Sequence, residues 1–248
     1  MKLLILCVDG FDPDYGQEYG FNKFRYSARL SIPAECFIES PDGPQPTTGR
    51  VWPTILSGRV QSHSLIERKG LRKRAHDFLL RRGITWTRGR PSYQVNPWNE
   101  DLETVLTGRL AFTWNIPTIS PEWVVRFPDM VRLMAYCNRE YQMFNMMAQG
   151  VQVRGSGYEL AIIYTRIVDA WGHFKKAEDM KFIYSDVTAT AWRLAQAQQA
   201  QGDELLFLSD HGCLNGVHTD KAFIGATFPF EAESITDVRG VIEGVLNA

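Results

Sequence analysis

Four short apolar runs, separated by helical stretches, constrain the fold of this chain more than any other feature. Continuous runs of this kind are typical of strands buried on both faces of a parallel sheet. The predicted helices include 129–149 and a long segment that ends at Gly202. Strands that alternate with helices predict a parallel sheet flanked by helices. The predicted strands fall at 3–8, 107–117, 158–167 and 203–212.

The composition predicts one globular domain over residues 1–248. Apolar residues make up 44% of the 248 positions, and 27 Lys and Arg nearly balance 28 Asp and Glu. No overall field therefore favours nucleic acid or a membrane. Nine basic residues cluster within 67–90. This cluster is interpreted either as the solvated face of a surface helix or as an anion-collecting rim, with 60–105 as a basic insertion beside a site.

The cysteines and the first apolar run favour a cytoplasmic protein. Cys7, Cys36, Cys137 and Cys213 form no CxxC pair, which suits reduced thiols. An Asp-Gly pair interrupts the first run, and no small-residue cleavage site follows it, so we do not expect a signal peptide. No apolar stretch reaches the roughly 20 residues of a membrane span, so a membrane partner is not expected.

Aspartates and histidines follow three of the predicted strands. Ligands bind outside the carboxyl ends of strands in such sheets, so these side chains should meet at one edge. Carboxylates and imidazoles are the ligands of divalent transition ions, most often zinc, and six of them are enough for two ions. Two ions can stabilise both the attacking and the leaving oxygen of phosphoryl transfer. The candidates are Asp9, Asp169, His173, Asp210, His211 and His218.

A threonine pair, Thr47 and Thr48, begins the segment PTTGRVWPTILSGR at 46–59. One hydroxyl is expected to cap a short helix, because a threonine oxygen readily accepts a bond from the free N–H groups of the first turn. The second hydroxyl is then left for another role. A threonine hydroxyl becomes a useful nucleophile when a metal or a base removes its proton. Just before a helix, it would present a phosphoryl group to backbone N–H groups.

Six blocks in fixed order resemble the alkaline phosphatase superfamily, and within it the type I phosphodiesterase and nucleotide pyrophosphatase branch. They are LLILCVDGFDP, PTTGRVWPTILSGR, NIPTISP, DAWGH, SDHG and GVHTDKAFIGA, and they span residues 3 to 226. The resemblance implies a three-layer α/β/α sandwich with a mostly parallel central sheet. It also implies that Thr48, ten residues before Gly58 and four before Trp52, is the nucleophile and that Thr47 is the turn residue.

The resemblance further divides the ligands between two divalent ions, which we expect to be zinc, with manganese or magnesium as alternatives. One ion would be held by Asp9, Thr48, Asp210 and His211, and the other by Asp169, His173 and His218. The implied reaction is a two-step displacement through phosphothreonine, with retention at phosphorus. His63 and His76 match no ligand and are interpreted as solvated or structural.

The substrate is expected to be a small-molecule phosphate ester. Arg50 and the arginines of 68–90 would suit the dianion of a monoester, whereas Trp171 within DAWGH would stack on a nucleobase. We favour a nucleotide-type diester or pyrophosphate, with a monoester as the alternative. We expect an open site, or walls supplied by 60–105 or by a second subunit of a homo-oligomer.

Other classes of function fit the sequence less well. A sulfatase is disfavoured because the nucleophile is a threonine and no Cys-x-Pro-x-Arg block is present. A catalytically silent protein that binds a phosphorylated ligand is disfavoured by the intact ligand set. A nucleic-acid-binding module rests on the 67–90 cluster alone, and no nucleic-acid motif accompanies it.

Overall fold

The computed structural model describes residues 2–21, 24–40, 43–61, 102–117, 130–153 and 157–248. A six-stranded sheet forms the centre of this described part, in the order β2-β10-β7-β1-β6-β5. Its strands are β1 (Leu3–Val8), β2 (Tyr26–Leu30), β5 (Ala111–Trp114), β6 (Leu160–Thr165), β7 (Glu204–Ser209) and β10 (Ala222–Ala226). The pairs β7-β1, β1-β6 and β6-β5 are parallel, whereas β10 runs antiparallel to both β7 and β2. The predicted mostly parallel sheet is confirmed.

Helices cover both faces of the sheet and make it the middle of three layers. The helices are α1 (Pro13–Gln17), α2 (Thr48–Ser57), α3 (Met130–Val153), α4 (Ile167–Gly172), α5 (Lys181–Ala200) and α6 (Val238–Asn247). Alternate residues of β1 pack into two buried clusters: Leu3 and Ile5 with α2 and α6, and Leu4 and Leu6 with α3 and α5. Among the described residues, no helix is long and apolar enough to cross a membrane.

Two short hairpins lie outside the central sheet, and 3₁₀ turns occur at Ala34–Cys36 and Ala177–Met180. The first hairpin pairs β3 (Phe37–Ile38) with β4 (Gln45–Pro46), and the second pairs β8 (Gly212–Leu214) with β9 (Val217–Thr219). Each lies beside a segment that the sequence marked as functional, because β4 precedes Thr48 and β8 follows His211. The hairpins therefore position loops at the edge of the sheet rather than extend the sheet itself.

The predicted strands agree with the observed ones, with one difference in burial. All four appear as parallel neighbours, but β5 is only partly buried, whereas a strand covered on both faces was predicted. The reason is its position at the end of the sheet. The helix predicted at 129–149 is α3, and the segment ending at Gly202 contains α5. The 67–90 cluster and most of 60–105 lie outside the described residues.

Parallel strand order brings the predicted site residues to one edge of the sheet. Strands β7, β1 and β6 are adjacent, and Asp9 and Asp210 directly follow β1 and β7. One residue separates the end of β6 from the start of helix α4. The Asp169 N–H in this helix donates to the Asp9 carbonyl at 3.0 Å. Gly10, at φ +73°, permits this approach, since a Cβ there would lie 2.6 Å from the Asp169 Cα. Gly10 thus allows the loop after β1, which carries Asp9, to contact helix α4, which carries Asp169.

Candidate metal centre

Thr48 is the first residue of α2, and the preceding backbone fixes its position. The Thr47 carbonyl accepts bonds from the N–H groups of Arg50 and Val51 at 2.8 and 3.0 Å, and the Thr47 N–H donates to the Cys36 carbonyl at 3.2 Å. Thr47 occupies the N-cap position as predicted, but the predicted bond from a threonine hydroxyl to the first turn is wrong, because the Thr47 side chain makes no capping bond. Backbone bonds, rather than a threonine side chain, form the entry to the helix.

The Thr48 hydroxyl lies within a group of acidic and imidazole side chains. Its Oγ1 is 3.2 Å from His211 Nε2 and 3.4 Å from Asp9 Oδ1. His211 Nε2 is in turn 3.4 Å from Asp9 Oδ1 and 3.3 Å from Asp210 Oδ2. These four residues, called here the strand-end group, are those that the resemblance assigned to one ion.

A second set of side chains converges beside the first. Asp169 Oδ1 is 3.1 Å from His218 Nε2 and 3.4 Å from His173 Nε2, and the two nitrogens are 3.0 Å apart. Asp169, His173 and His218, called here the helix-hairpin group, come from α4, the residue after it, and β9. Asp169 also offers a ligand atom within 4.8 Å of those of Asp9 and His211, so the two groups are contiguous.

Hydrogen bonds to backbone carbonyls orient two of the imidazoles. His211 Nδ1 is 3.2 Å from the Gly212 carbonyl, and His218 Nδ1 is 3.1 Å from the Pro46 carbonyl. A carbonyl only accepts, so each Nδ1 carries the proton that it donates. When each imidazole is neutral, its Nε2 lone pair then faces the cluster. Metal-binding histidines commonly have this arrangement, with one ring nitrogen donating to a carbonyl and the other free to bind the metal.

Two carboxylate oxygens of the two groups are buried and face imidazole nitrogens rather than a permanent hydrogen-bond donor. They are Asp169 Oδ1 and Asp210 Oδ2, each of which faces a histidine Nε2. A buried carboxylate oxygen without a partner is costly, and a divalent cation would satisfy it. The donor set of carboxylates, imidazoles and one hydroxyl fits zinc or a similar ion. The residues present therefore fit the two ions that the sequence predicted.

Electrostatic shifts at the strand-end group follow from burial and from the close carboxylates. Burial, followed by the charge of Asp169, raises the pKa of Asp9 to about 6. Burial and the neighbouring Asp9 also raise the pKa of Asp210 well above its usual range. Burial lowers the pKa of His211 to about 3, so this imidazole is neutral at pH 7. A cation among these groups would relieve the repulsion between the carboxylates.

The helix-hairpin group has the opposite character. Burial disfavours the charged form of His218, but its hydrogen bond to Asp169 outweighs this and raises its pKa to about 9. The bond to Asp169 likewise raises the pKa of His173. Burial works against the charge of Asp169, yet the two histidines hold the pKa of this carboxyl well below its usual range. In the absence of metal, protons supply the positive charge here.

The predicted substrate-binding residues lie near the site in different settings. Arg50 Nη1 donates to the carbonyls of Glu35 and Phe37 at 2.9 and 2.7 Å, so this nitrogen helps to hold the β3–β4 hairpin. Trp171, next to Gly172 in α4, donates from Nε1 to Asn138 Oδ1 at 3.3 Å, and Lys175 Nζ lies 5.6 Å from its ring. Contact of either residue with a substrate stays a prediction.

Trp52, His63 and His76 also have assignments from the sequence. Trp52 is fully buried and packs perpendicular to the Tyr164 ring, with 5.7 Å between centroids, so it belongs to the core. His63 and His76 lie outside the described residues.

Sequence reasoning missed two side chains at the centre. The Tyr164 hydroxyl, at the end of β6, donates to Asp9 Oδ2. Cys213 offers its sulfur within 4.8 Å of the ligand atoms of Asp169, His173 and His218. Tyr164 lies inside an apolar run that gives no polar signal, whereas Cys213 stands two residues after His211 and its residue type alone makes it a candidate.

Comparison with known proteins gives the fold. No protein-family model and no curated protein matches the chain. The structure of alkaline phosphatase from the Antarctic bacterium TAB5 aligns with a TM-score of 0.53 and 10% sequence identity, over 99% of this chain and 97% of that chain. This chain has an alkaline phosphatase-like fold.

Two further solved structures are similar to the chain. A mutant of the TAB5 enzyme with Mg bound in the M3 site aligns with a TM-score of 0.52 and 10% identity, over 99% of this chain and 97% of that chain. Human ectonucleotide pyrophosphatase/phosphodiesterase 5 aligns with a TM-score of 0.48 and 16% identity, over 86% of this chain and 57% of that chain. The alkaline phosphatase-like fold was the expectation from the sequence blocks, and it is confirmed.

Proposed function

We propose that the protein is a metal-dependent hydrolase of phosphate esters, specifically a phosphodiesterase or nucleotide pyrophosphatase with Thr48 as nucleophile and two divalent ions. The observation that carries this proposal is the position of the Thr48 hydroxyl. It stands at the first residue of a ten-residue helix, 3.2 Å from His211 Nε2 and 3.4 Å from Asp9 Oδ1. A hydroxyl so placed beside a carboxylate-imidazole cluster suits phosphoryl transfer.

In the first step, Thr48 Oγ1 attacks phosphorus, and its proton passes to solvent. The phosphorus–oxygen bond to the leaving group breaks, and phosphothreonine forms. The ions, when bound, promote loss of the hydroxyl proton and stabilise the charge on the leaving oxygen. A helix leaves its first N–H groups without intrahelical partners, so the start of α2 can donate to the phosphoryl oxygens.

In the second step, water attacks phosphorus and breaks the bond to Thr48 Oγ1. The hydroxyl of Thr48 is restored, and the phosphate product leaves. Each step inverts the configuration at phosphorus, so the overall reaction retains it. Hydrolysis of a chiral phosphorothioate diester in isotopically labelled water would report this outcome, since a single direct displacement by water inverts the configuration.

Apolar surface near the helix-hairpin group supports a diester over a monoester. Phe174 follows His173, is 39% exposed, and its ring centroid is 6.2 Å from that of His173. Trp171 is also partly exposed on the same segment. A second ester arm needs such contact, whereas the extra charge of a monoester needs cationic groups. Arg50, the cation nearest to Thr48 in sequence, already donates from Nη1 to two carbonyls.

The test compares rates on a chromogenic phosphate diester and the matching monoester. Chelator-stripped protein would be reconstituted with zinc or with manganese before the assay. Metal-dependent preference for the diester is expected. A preference for the monoester would contradict the phosphodiesterase proposal and favour an alkaline phosphatase-like activity. Two bound ions without turnover of either ester would favour a phospho-ligand-binding protein.

A further inference from the structure

We propose that Cys213 supplies a sulfur ligand to the ion that the helix-hairpin group would hold. This inference rests on the proposed metal-dependent function of the same site. The ligand atoms of Asp169, His173, Cys213 and His218 all lie within 4.8 Å of one another. Zinc–sulfur and zinc–nitrogen bonds of about 2.3 and 2.0 Å place ligands of one tetrahedral ion roughly 3–4 Å apart. Small side-chain adjustments would therefore bring the four atoms onto one ion.

The β8–β9 hairpin places the Cys213 and His218 side chains on the same face. The two residues are direct register partners in this antiparallel ladder. Side chains of directly opposed residues project to one side of a two-stranded ribbon, with Cβ atoms about 4.5–5.5 Å apart. Since His218 faces Asp169 and His173, the cysteine is directed to the same region by backbone pairing.

A glycine allows the hairpin to reach the helix that carries the other ligands. A Cβ on Gly172 would lie 2.4 Å from the Cys213 carbonyl oxygen and 2.9 Å from its sulfur. The Cys213 N–H donates to the Gly10 carbonyl at 2.8 Å, and the Gly216 N–H donates to the Gly172 carbonyl at 2.8 Å. Cys213 is thus held between the Gly10 loop and the end of α4. That helix ends one residue before His173.

The competing interpretation is a structural thiol. Cys213 Sγ lies 3.7 Å from the Asp169 backbone carbonyl, which is within reach of a weak S–H donor bond. That bond would explain a buried cysteine without a metal. It does not account for the convergence of Asp169 Oδ1, His173 Nε2 and His218 Nε2, which lie 3.0–3.4 Å from one another. An ion shared by all four side chains accounts for both.

Sulfur ligation would determine which metal this group accepts. The metal–sulfur bond forms as the thiol proton leaves to solvent, and the thiolate is then a soft ligand. Soft ligands favour zinc and cobalt over magnesium and calcium, which prefer oxygen. The helix-hairpin group should therefore bind zinc-like metals selectively.

The test is a cobalt(II) titration of the full chain after removal of metal by a chelator. Cobalt bound to a thiolate gives a sulfur-to-metal charge-transfer band in the near ultraviolet, which imidazole and carboxylate ligands do not give. We expect this band to develop as cobalt binds. Cys213→Ser should abolish the band and weaken one ion by at least about 100-fold, since even second-shell changes cost 10–100-fold.

The control is Cys137→Ala, which removes a buried thiol of α3 that does not belong to the Asp169 group and should leave the band unchanged. Cys213→Ser keeps a hydrogen-bond donor for the Asp169 carbonyl, so loss of the band with retained folding separates ligation from a structural bond. X-ray absorption at the zinc edge of the unmodified protein gives a second measurement. It should detect one sulfur at about 2.3 Å.

The outcomes separate this inference from the proposed function. Two bound cobalt ions without a charge-transfer band, or no sulfur at the zinc edge, would overturn sulfur ligation and leave the two-ion hydrolase intact. A band with only one ion bound would support sulfur ligation and contradict the two-ion site. Failure to bind any metal would contradict both.

Discussion

The two halves of the candidate centre are built from different elements and differ in access to solvent. Asp9, Asp210 and His211 directly follow strands, and their side chains are at most 4% exposed. Asp169 and His173 belong to α4 and its end, His218 belongs to a hairpin, and the three side chains are 17–36% exposed. The sheet therefore fixes the three carboxylate and imidazole members of the strand-end group, whereas the helix-hairpin group depends on contact between two peripheral elements.

This difference gives the two groups different behaviour without metal. The strand-end carboxylates repel one another, and burial raises the pKa values of Asp9 and Asp210. In the helix-hairpin group, His218 has a pKa of about 9 and pairs with Asp169 as a protonated imidazole at pH 7. We infer that metal stabilises the first group by removing repulsion, whereas in the second it replaces protons that already stabilise the fold.

The largest expected effect is the loss of turnover in Thr48→Ala. Removal of a nucleophile that acts with other groups typically costs about 10⁴-fold or more in kcat. Thr48 is one ligand among several, so both ions should still bind. The measurement is kcat on the preferred ester together with metal content per chain. Activity near that of the original protein would remove Thr48 as nucleophile.

Thr47→Ala is the matched control for this variant. It removes the neighbouring threonine hydroxyl, whose side chain makes no capping bond. Turnover and metal content should stay close to those of the original protein, because the position of α2 depends on backbone bonds. A similar loss in both variants would point to a disturbed helix entry rather than to a missing nucleophile.

Two aspartate variants should distinguish the halves by the sign of their effect on stability. Each of Asp210→Asn and Asp169→Asn should reduce metal content towards one ion. Without metal, Asp210→Asn should raise the melting temperature at pH 7 by a few degrees, because a carboxyl with a raised pKa opposes folding above its unfolded pKa. Asp169→Asn should lower it, because its pKa is lowered by pairing.

Calorimetric melting with and without zinc measures both effects. With zinc, both variants should melt below the original protein, because each has lost a bound ligand that stabilises the folded state. If the two metal-free variants shift in the same direction, the contrast between repelling and paired carboxylates is wrong. If both keep two ions, the assignment of ligands is wrong.

Much of the centre could be predicted because strand order and residue type are local signals. The run before Asp9 marks β1, and a parallel sheet then brings Asp9 and Asp210 to one edge without further information. Thr48 follows from its position before a helix and from the resemblance to a known family. Predicting the positions of these residues required no knowledge of side-chain contacts.

The rest could not be predicted because it depends on pairing between distant segments. Strand β2 is partly exposed, and it pairs antiparallel with β10, nearly 200 residues later. Tyr164 reads as one more apolar residue of β6, yet its hydroxyl reaches Asp9. The short β8–β9 hairpin directs Cys213 towards Asp169, and a three-residue strand has no recognisable pattern.

Gly172→Ala should disturb only the helix-hairpin group. Its Cβ would meet the Cys213 carbonyl oxygen at 2.4 Å, so the hairpin must shift. Such overpacking costs about 1–3 kcal/mol, and the ion of this group should bind more weakly. Gly244→Ala in α6 is the control, since its Cβ meets nothing within 4 Å, and it should gain about 0.5–1 kcal/mol. Equal zinc affinity in Gly172→Ala and the original protein would show that the hairpin tolerates displacement.

The smallest expected effect is the number of protons released when the helix-hairpin ion binds. At pH 7, His218 with its pKa of about 9 carries a proton that a metal must displace, whereas His211 with its pKa of about 3 carries none. Affinity at this group should therefore rise with pH, up to about 9 through loss of the His218 proton and further at higher pH because burial raises the pKa of the Cys213 thiol. Calorimetry in two buffers of different ionisation enthalpy counts the protons. Metal binding to His218→Gln should release about one fewer proton per ion than binding to the original protein. An unchanged count would mean that His218 is neutral before metal binds. The two halves would then differ less than their burial and pairing imply.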